Sequence, residues 1–175
     1  KMAGRYFGGG CVDSNGVLQC RPSSAPLFPG RLFEVLNEPG PDEHDLSIEN
    51  YTRMYDAIVG AVLRDTTAAR EACGRSLSTE DTTIEFVAME QGSWRDLAAA
   101  QYFLNASNHP VQPPPPVDYV AWHFYARCNE SNVPKLFEPF FDQVDEFLAE
   151  GVLPLLDLMG ATHHYKDIRI RRVLP

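Results

Sequence analysis

The sequence predicts an α/β fold built on parallel strands. Three short, mostly apolar runs begin at Leu32, Ile84 and Val117. Each is followed by a stretch whose apolar residues recur at spacings of three and four, the period of a helix with one buried face. Turn residues or charged segments separate the stretches. Strands that alternate with helices pair in parallel, because each helix is the crossover between two neighbours.

Residues 1–30 hold Gly8-Gly9-Gly10 and Pro22-Ser23-Ser24 and read as loop. Leu32–Leu36 is the first strand, apolar enough to be covered on both faces. The next helix begins after Ser47, an N-cap residue, with Glu49 in the first turn to complement the dipole. Ile48, Tyr51, Tyr55, Ile58 and Val62 form its apolar stripe. Arg53, Asp56 and Arg64 are expected away from that stripe. The helix is expected to fade near Thr66–Arg70, and Gly74 ends the region.

Ile84–Met89 is the second strand. A helix follows from Ser93, which has capping-box spacing to Asp96, and Trp94, Leu97, Ala98 and Tyr102 supply its apolar face. Pro113–Pro116 is a stiff connector that cannot join a ladder. Val117–Tyr125 is the third strand. A third helix starts near Pro139, with Phe140, Phe141, Val144, Phe147 and Leu148 facing the core. Beyond Gly151 an apolar stretch is interrupted by Pro154, and Asp167–Val173 alternates Ile with Arg without settling on a period. Three units are too few for a closed (β/α)8 barrel, which takes about 250 residues. A small open sheet and a piece of a larger barrel both fit.

The chain has 175 residues, is 44% hydrophobic and 22% charged, and carries a formal charge of −9. That composition supports a folded core. The acidic balance disfavours nucleic acid and anionic membranes, which need clustered Lys and Arg. No apolar run approaches the ~20 residues of a membrane span. No signal peptide is visible, and the first residue is Lys1, so the natural start is expected upstream. Cys11, Cys20, Cys73 and Cys128 form an even set, and N-x-S/T triplets begin at Asn50, Asn105 and Asn129. Together they point to a secreted glycoprotein with disulfides. Cys11 and Cys20 flank the Asp13-Ser14-Asn15-Gly16 turn, the spacing of a small disulfide loop. No Cys/His spacing suits zinc, so no metal is expected.

The chemistry concentrates at strand ends. Phe33–Leu36 runs into Asn37-Glu38-Pro39. In a parallel barrel the C-terminal ends of strands face the active site. There Glu38 can protonate a glycosidic oxygen and Asn37 can bond a sugar hydroxyl. Trp122-His123-Phe124-Tyr125 ends the third strand, with a ring nitrogen and a phenol suited to a carboxylate or sugar. Glu90 ends the second strand. Glu43 and His44 follow Glu38 in the loop, where they can shape a subsite.

These segments resemble clan A glycoside hydrolases, family 39-like members above all. FEVLNEPGPDEHDLSIENYTRMYDAIVGAVLR, from Phe33 to Arg64, is similar to their fourth β/α unit. VDYVAWHFYA from Val117 resembles their sixth strand, and Phe140–Leu148 the helix after it. The resemblance covers roughly residues 31–150. It implies a partial (β/α)8 barrel of about three units, four to six, over residues 31–175. It implies a retaining glycosidase with Glu38 as general acid/base and Asn37 on the sugar 2-hydroxyl. His123 and Tyr125 would line the cleft.

The family's nucleophile, a Glu ending strand seven, has no counterpart here. It is expected outside this chain, with the remaining barrel segments of the same gene product. Such a mechanism requires no cofactor, and its partner is a carbohydrate. The alternative is a glycan-binding or scaffold protein on a degenerate barrel. The resemblance also puts Cys11, Cys20 and Cys73 at the barrel bottom and Cys128 at the top. It favours Cys11–Cys20 first, then Cys20–Cys73.

Overall fold

The computed structural model describes residues 10–13, 15–20, 32–39, 45–74, 84–91, 97–122, 145, 147–154 and 157. The described part is a mixed α/β structure around a three-stranded parallel sheet. Its strands are β3 (Leu32–Glu34), β4 (Glu85–Gln91) and β5 (Tyr119–Trp122), in that spatial order. Leu32 pairs with Glu85, Phe33 with Phe86 and Glu34 with Val87; Val87 in turn pairs with Tyr119. Helices α1 (Ile48–Ala72) and α2 (Leu97–Phe103) make the crossovers. Both feed one apolar cluster with the sheet. Two crossovers of one hand, advancing the same way along a sheet, lay their helices on the same face.

Helix α1 is set by its ends. Ser47 Oγ accepts the Asn50 N–H at 3.3 Å, satisfying one orphan donor. At the other end Cys73 N–H bonds Ala69 O, and Gly74, at φ +62°, donates to Glu71 O. A left-handed residue there is the usual helix stop, and glycine adopts it without Cβ strain. The helix therefore runs past the Thr66–Arg70 region where its own propensity fades. Thr66, Ala69 and Arg70 are buried, so tertiary packing carries the extra turns.

The core joins Val35, Tyr51, Tyr55, Val59 and Val62 to Phe86, Ala88, Met89, Phe103 and Leu104. Phe86, Met89 and Phe103 are fully buried, each adding about 1.5–3 kcal/mol. Rings interlock at the centre: Phe103 meets Tyr55 edge-on at 5.1 Å and Tyr51 at 5.4 Å. The α2 face differs from the expected one. Leu97 packs against the core as expected, but Ala98 is exposed while Ala99, Ala100 and Phe103 are buried; Trp94 lies outside the described residues.

Other expectations also need correction. Residues 1–30 are not all loop: β1 (Gly10–Val12) and β2 (Leu18–Cys20) form an antiparallel hairpin. Asp13 organises its turn. Its carboxylate accepts the Asn15 and Val17 N–H groups, both at 2.9 Å, and Gly16 supplies the left-handed φ of +80°. These bonds hold the Asp13 carboxyl below the ordinary aspartate range. Cys20 is bonded to Cys73, with Cα atoms 5.6 Å apart, and not to Cys11. The ladder explains the choice: Cys20 stands opposite Gly10, while Cys11 stands opposite Gln19. Gly10 backs onto the Cys73 sulfur, where a Cβ would collide with it.

Coverage of the strands is uneven. Four successive β4 residues, Phe86–Met89, are buried, but Leu32 and Glu34 of β3 are exposed. Asp145 is helical and Phe147–Val152 form a π-helical segment in which Leu148 is exposed, not turned into a core. The expected helical residues Phe140, Phe141 and Val144 lie outside the described residues, as does Asp167–Val173. Among the described residues no helix is long and apolar enough to cross a membrane.

Candidate functional site at the strand ends

Three strand ends meet along the C-terminal edge of the sheet. Asn37 and Glu38 follow β3, Glu90 and Gln91 end β4, and Trp122 ends β5. The regular ladder stops here. Between Ala88↔Val120 and Gln91↔Trp122 the register shifts, so Met89 and Glu90 of β4 face the single residue Ala121. That is a β-bulge, which bends a strand and re-aims the residues beyond it.

Backbone strain gathers at the same edge. Leu36 (φ +69°), Glu38 (φ +48°) and Met89 (φ +68°) are all left-handed. Each costs on the order of 1–3 kcal/mol for a residue with a Cβ. Three of the four non-glycine residues with positive φ among those described sit at this edge; the fourth is Asp45. Such strain persists only where surrounding contacts impose it, and it concentrates at functional sites. Glu38 is half-buried between exposed Asn37 and buried Pro39. Both Asn37 and Glu38 are engaged by neighbouring groups.

Helix α1 braces this edge. Tyr51 is fully buried, and its hydroxyl accepts the Met89 N–H at 2.8 Å and reaches Val35 O at 3.4 Å. One turn further on, Tyr55 donates to Pro116 O at 2.8 Å, which fixes the proline connector before β5. Beneath them lies a buried polar pair. His109 Nδ1 meets Asp56 Oδ1 at 2.7 Å and His109 Nε2 meets Phe103 O at 2.7 Å. A carbonyl only accepts, so Nε2 donates to Phe103 O. Asp56 is thus buried, contrary to expectation. Its partner lies 53 residues further along the chain.

The opposite edge is different in kind. Asp118 accepts the Phe86 N–H at 2.7 Å and returns its own N–H to Phe86 O at 3.0 Å. Burial lifts its carboxyl above the ordinary aspartate value; the Phe86 bond opposes that, and nearby Glu85 adds to it. Glu85 accepts from the Tyr119 hydroxyl at 3.2 Å. This cluster lies at the strand beginnings, away from the edge that carries Glu38.

Of the residues singled out from sequence, Glu38, Asn37 and Glu90 are brought to one edge by the strand register. His44, His123, Tyr125 and Asn129 lie outside the described residues. Asn50 is exposed in the first turn of α1. Asn105 is exposed and caps a 3-10 turn, Ala106–Asn108, by accepting the Ser107 N–H at 3.0 Å. Sequence reasoning read Tyr51 only as core, placed Asp56 away from the apolar stripe, and did not single out His109. A carboxylate at helical spacing beside an apolar stripe was the one available signal. Searches against protein-family models, curated proteins and solved structures find no match to this chain.

Proposed function

We propose that this chain carries the acid/base portion of a retaining glycoside hydrolase on part of a (β/α)8 barrel, acting on a carbohydrate in the secretory pathway or outside the cell. One observation carries the reading: Glu38 is a half-buried carboxylate in a strained, left-handed conformation at the C-terminal edge of a parallel sheet. A general acid needs a fixed position beside the leaving oxygen, and a rigid strand end supplies it. The sequential order of β3, β4 and β5, with both helices on one face, suits a barrel segment.

In this mechanism Glu38 protonates the glycosidic oxygen while a second carboxylate attacks the anomeric carbon. Glu38 then takes a proton from water as the glycosyl-enzyme is hydrolysed. Asn37, next to it, bonds the sugar 2-hydroxyl. The nucleophile, a second carboxylate, must stand about 5–5.5 Å from Glu38. The Cys20–Cys73 bridge supports an oxidising compartment, and Asn105 and Ser107 of one triplet are exposed, whereas Tyr51 and Thr52 of the Asn50 triplet are buried.

The test is Glu38→Ala in the full-length protein, assayed on aryl glycosides with and without azide. Hydrolysis of poor leaving groups should collapse. Azide, a small nucleophile that needs no general base, should restore turnover of activated substrates. Unchanged hydrolysis of both substrate types removes Glu38 from the mechanism.

A further inference from the structure

We propose that Tyr51 is the positioning residue of this site: its buried hydroxyl ties the ends of β3 and β4 together and sets where Glu38 stands. The inference rests on the glycosidase reading of Glu38 and adds a residue that touches no substrate. The hydroxyl accepts the Met89 N–H and donates towards Val35 O, at 2.8 and 3.4 Å. Those two groups lie on adjoining strands, since Val35 N–H bonds Val87 O at 3.3 Å. Each lies at a point where its strand departs from regular geometry. Val35 precedes left-handed Leu36, and Met89 is itself left-handed and opens the bulge.

One oxygen, acting as donor and acceptor at once, therefore holds both departures. Asn37-Glu38 leave from one and Glu90-Gln91 from the other. The ring cannot drift, because Tyr51 is fully buried against Phe103 and Tyr55. Removing the oxygen leaves the Met89 N–H buried without this acceptor. The strained backbone can then relax, and Glu38 moves with it.

The experiment compares wild type, Tyr51→Phe and Glu38→Gln in the full-length protein. Tyr51→Phe keeps the ring and deletes one atom. Aryl glycosides with a dinitrophenyl leaving group need no proton for departure, whereas those with a poor leaving group do. Tyr51→Phe is expected to lose on the order of 100-fold in kcat/KM on the poor leaving group, under about tenfold on the dinitrophenyl substrate, and to shift the basic limb of the pH profile. Hydrogen exchange at the Met89 amide should quicken by about tenfold or more.

Equal losses on both substrates, or none, overturn the positioning role even if Met89 exchange quickens. If Glu38→Gln spares the poor leaving group, the glycosidase reading itself falls and the catalytic part of this proposal with it. If Tyr51→Phe does not fold, wild-type exchange decides: a Met89 amide that exchanges as fast as an exposed turn amide overturns the bridge.

Discussion

Asp56→Ala probes the seam between α1 and the segment after α2. The substitution removes a carboxylate that is 3% exposed and leaves His109, 4% exposed, without its 2.7 Å partner. It also strips the Val111 N–H of an acceptor at 3.4 Å. Breaking a buried pair from one side costs about 3–5 kcal/mol, because His109 Nδ1 stays desolvated without its partner while Nε2 keeps Phe103 O. Against a total stability of about 5–15 kcal/mol, that is about a fifth or more of the whole.

Urea unfolding reads the loss directly. At a slope of about 2 kcal/mol per M, the midpoint should fall by roughly 2 M. The Asp56→Ala/His109→Ala double variant should lose less than the sum of the two singles, with a coupling of about 1–3 kcal/mol. A single-variant loss below about 1 kcal/mol, the range of an exposed pair, would refute the reasoning; so would additivity.

Two further outcomes rest on the same network of contacts. Cys20 and Cys73 are separated by 53 residues, so opening their bridge should cost about 4 kcal/mol from restored chain entropy. Unfolding midpoints with and without reductant measure this, and non-reducing peptide mapping that joined Cys20 to Cys11 would contradict it. The Asp118 carboxyl is raised above its ordinary value, so the folded chain keeps that proton longer than the unfolded chain does. Its contribution is complete below the unfolded value and is lost as pH rises through the folded one. Asp118→Asn should flatten that decline in midpoint across the window, and identical slopes for variant and wild type would sink the assignment.

The parallel sheet was legible because strand and helix periods alternate cleanly from Leu32 to Trp122. The hairpin was not. Gly10 reads as loop, yet it is needed as glycine because the Cys73 sulfur occupies the space of a side chain. Helix α1 looked shorter than it is, since Thr66 and Thr67 lower propensity locally while burial and the bridge at Cys73 act from a distance. Asp56 was assigned to solvent because a charge beside an apolar stripe usually faces water. Only folding brings His109 to it. The position of Glu38 could be read from Asn37-Glu38-Pro39, but its left-handed backbone could not. No local residue preference announces it.

Strand β4 has side chains standing in for main chain at both ends. The Phe86 N–H is taken by Asp118 at 2.7 Å and the Met89 N–H by Tyr51 at 2.8 Å. Slippage of the strand shows what this means. A shift by one residue would turn Phe86 and Ala88 out of the cluster they share with α1 and α2, so burial forbids it. A shift by two would keep every apolar residue on its present face, and the hydrophobic pattern alone is blind to it. The two brackets are not blind, because each fits one particular amide. They convert a sheet whose pattern tolerates several alignments into one that accepts a single alignment, and so fix how far each strand reaches towards the edge that carries Glu38.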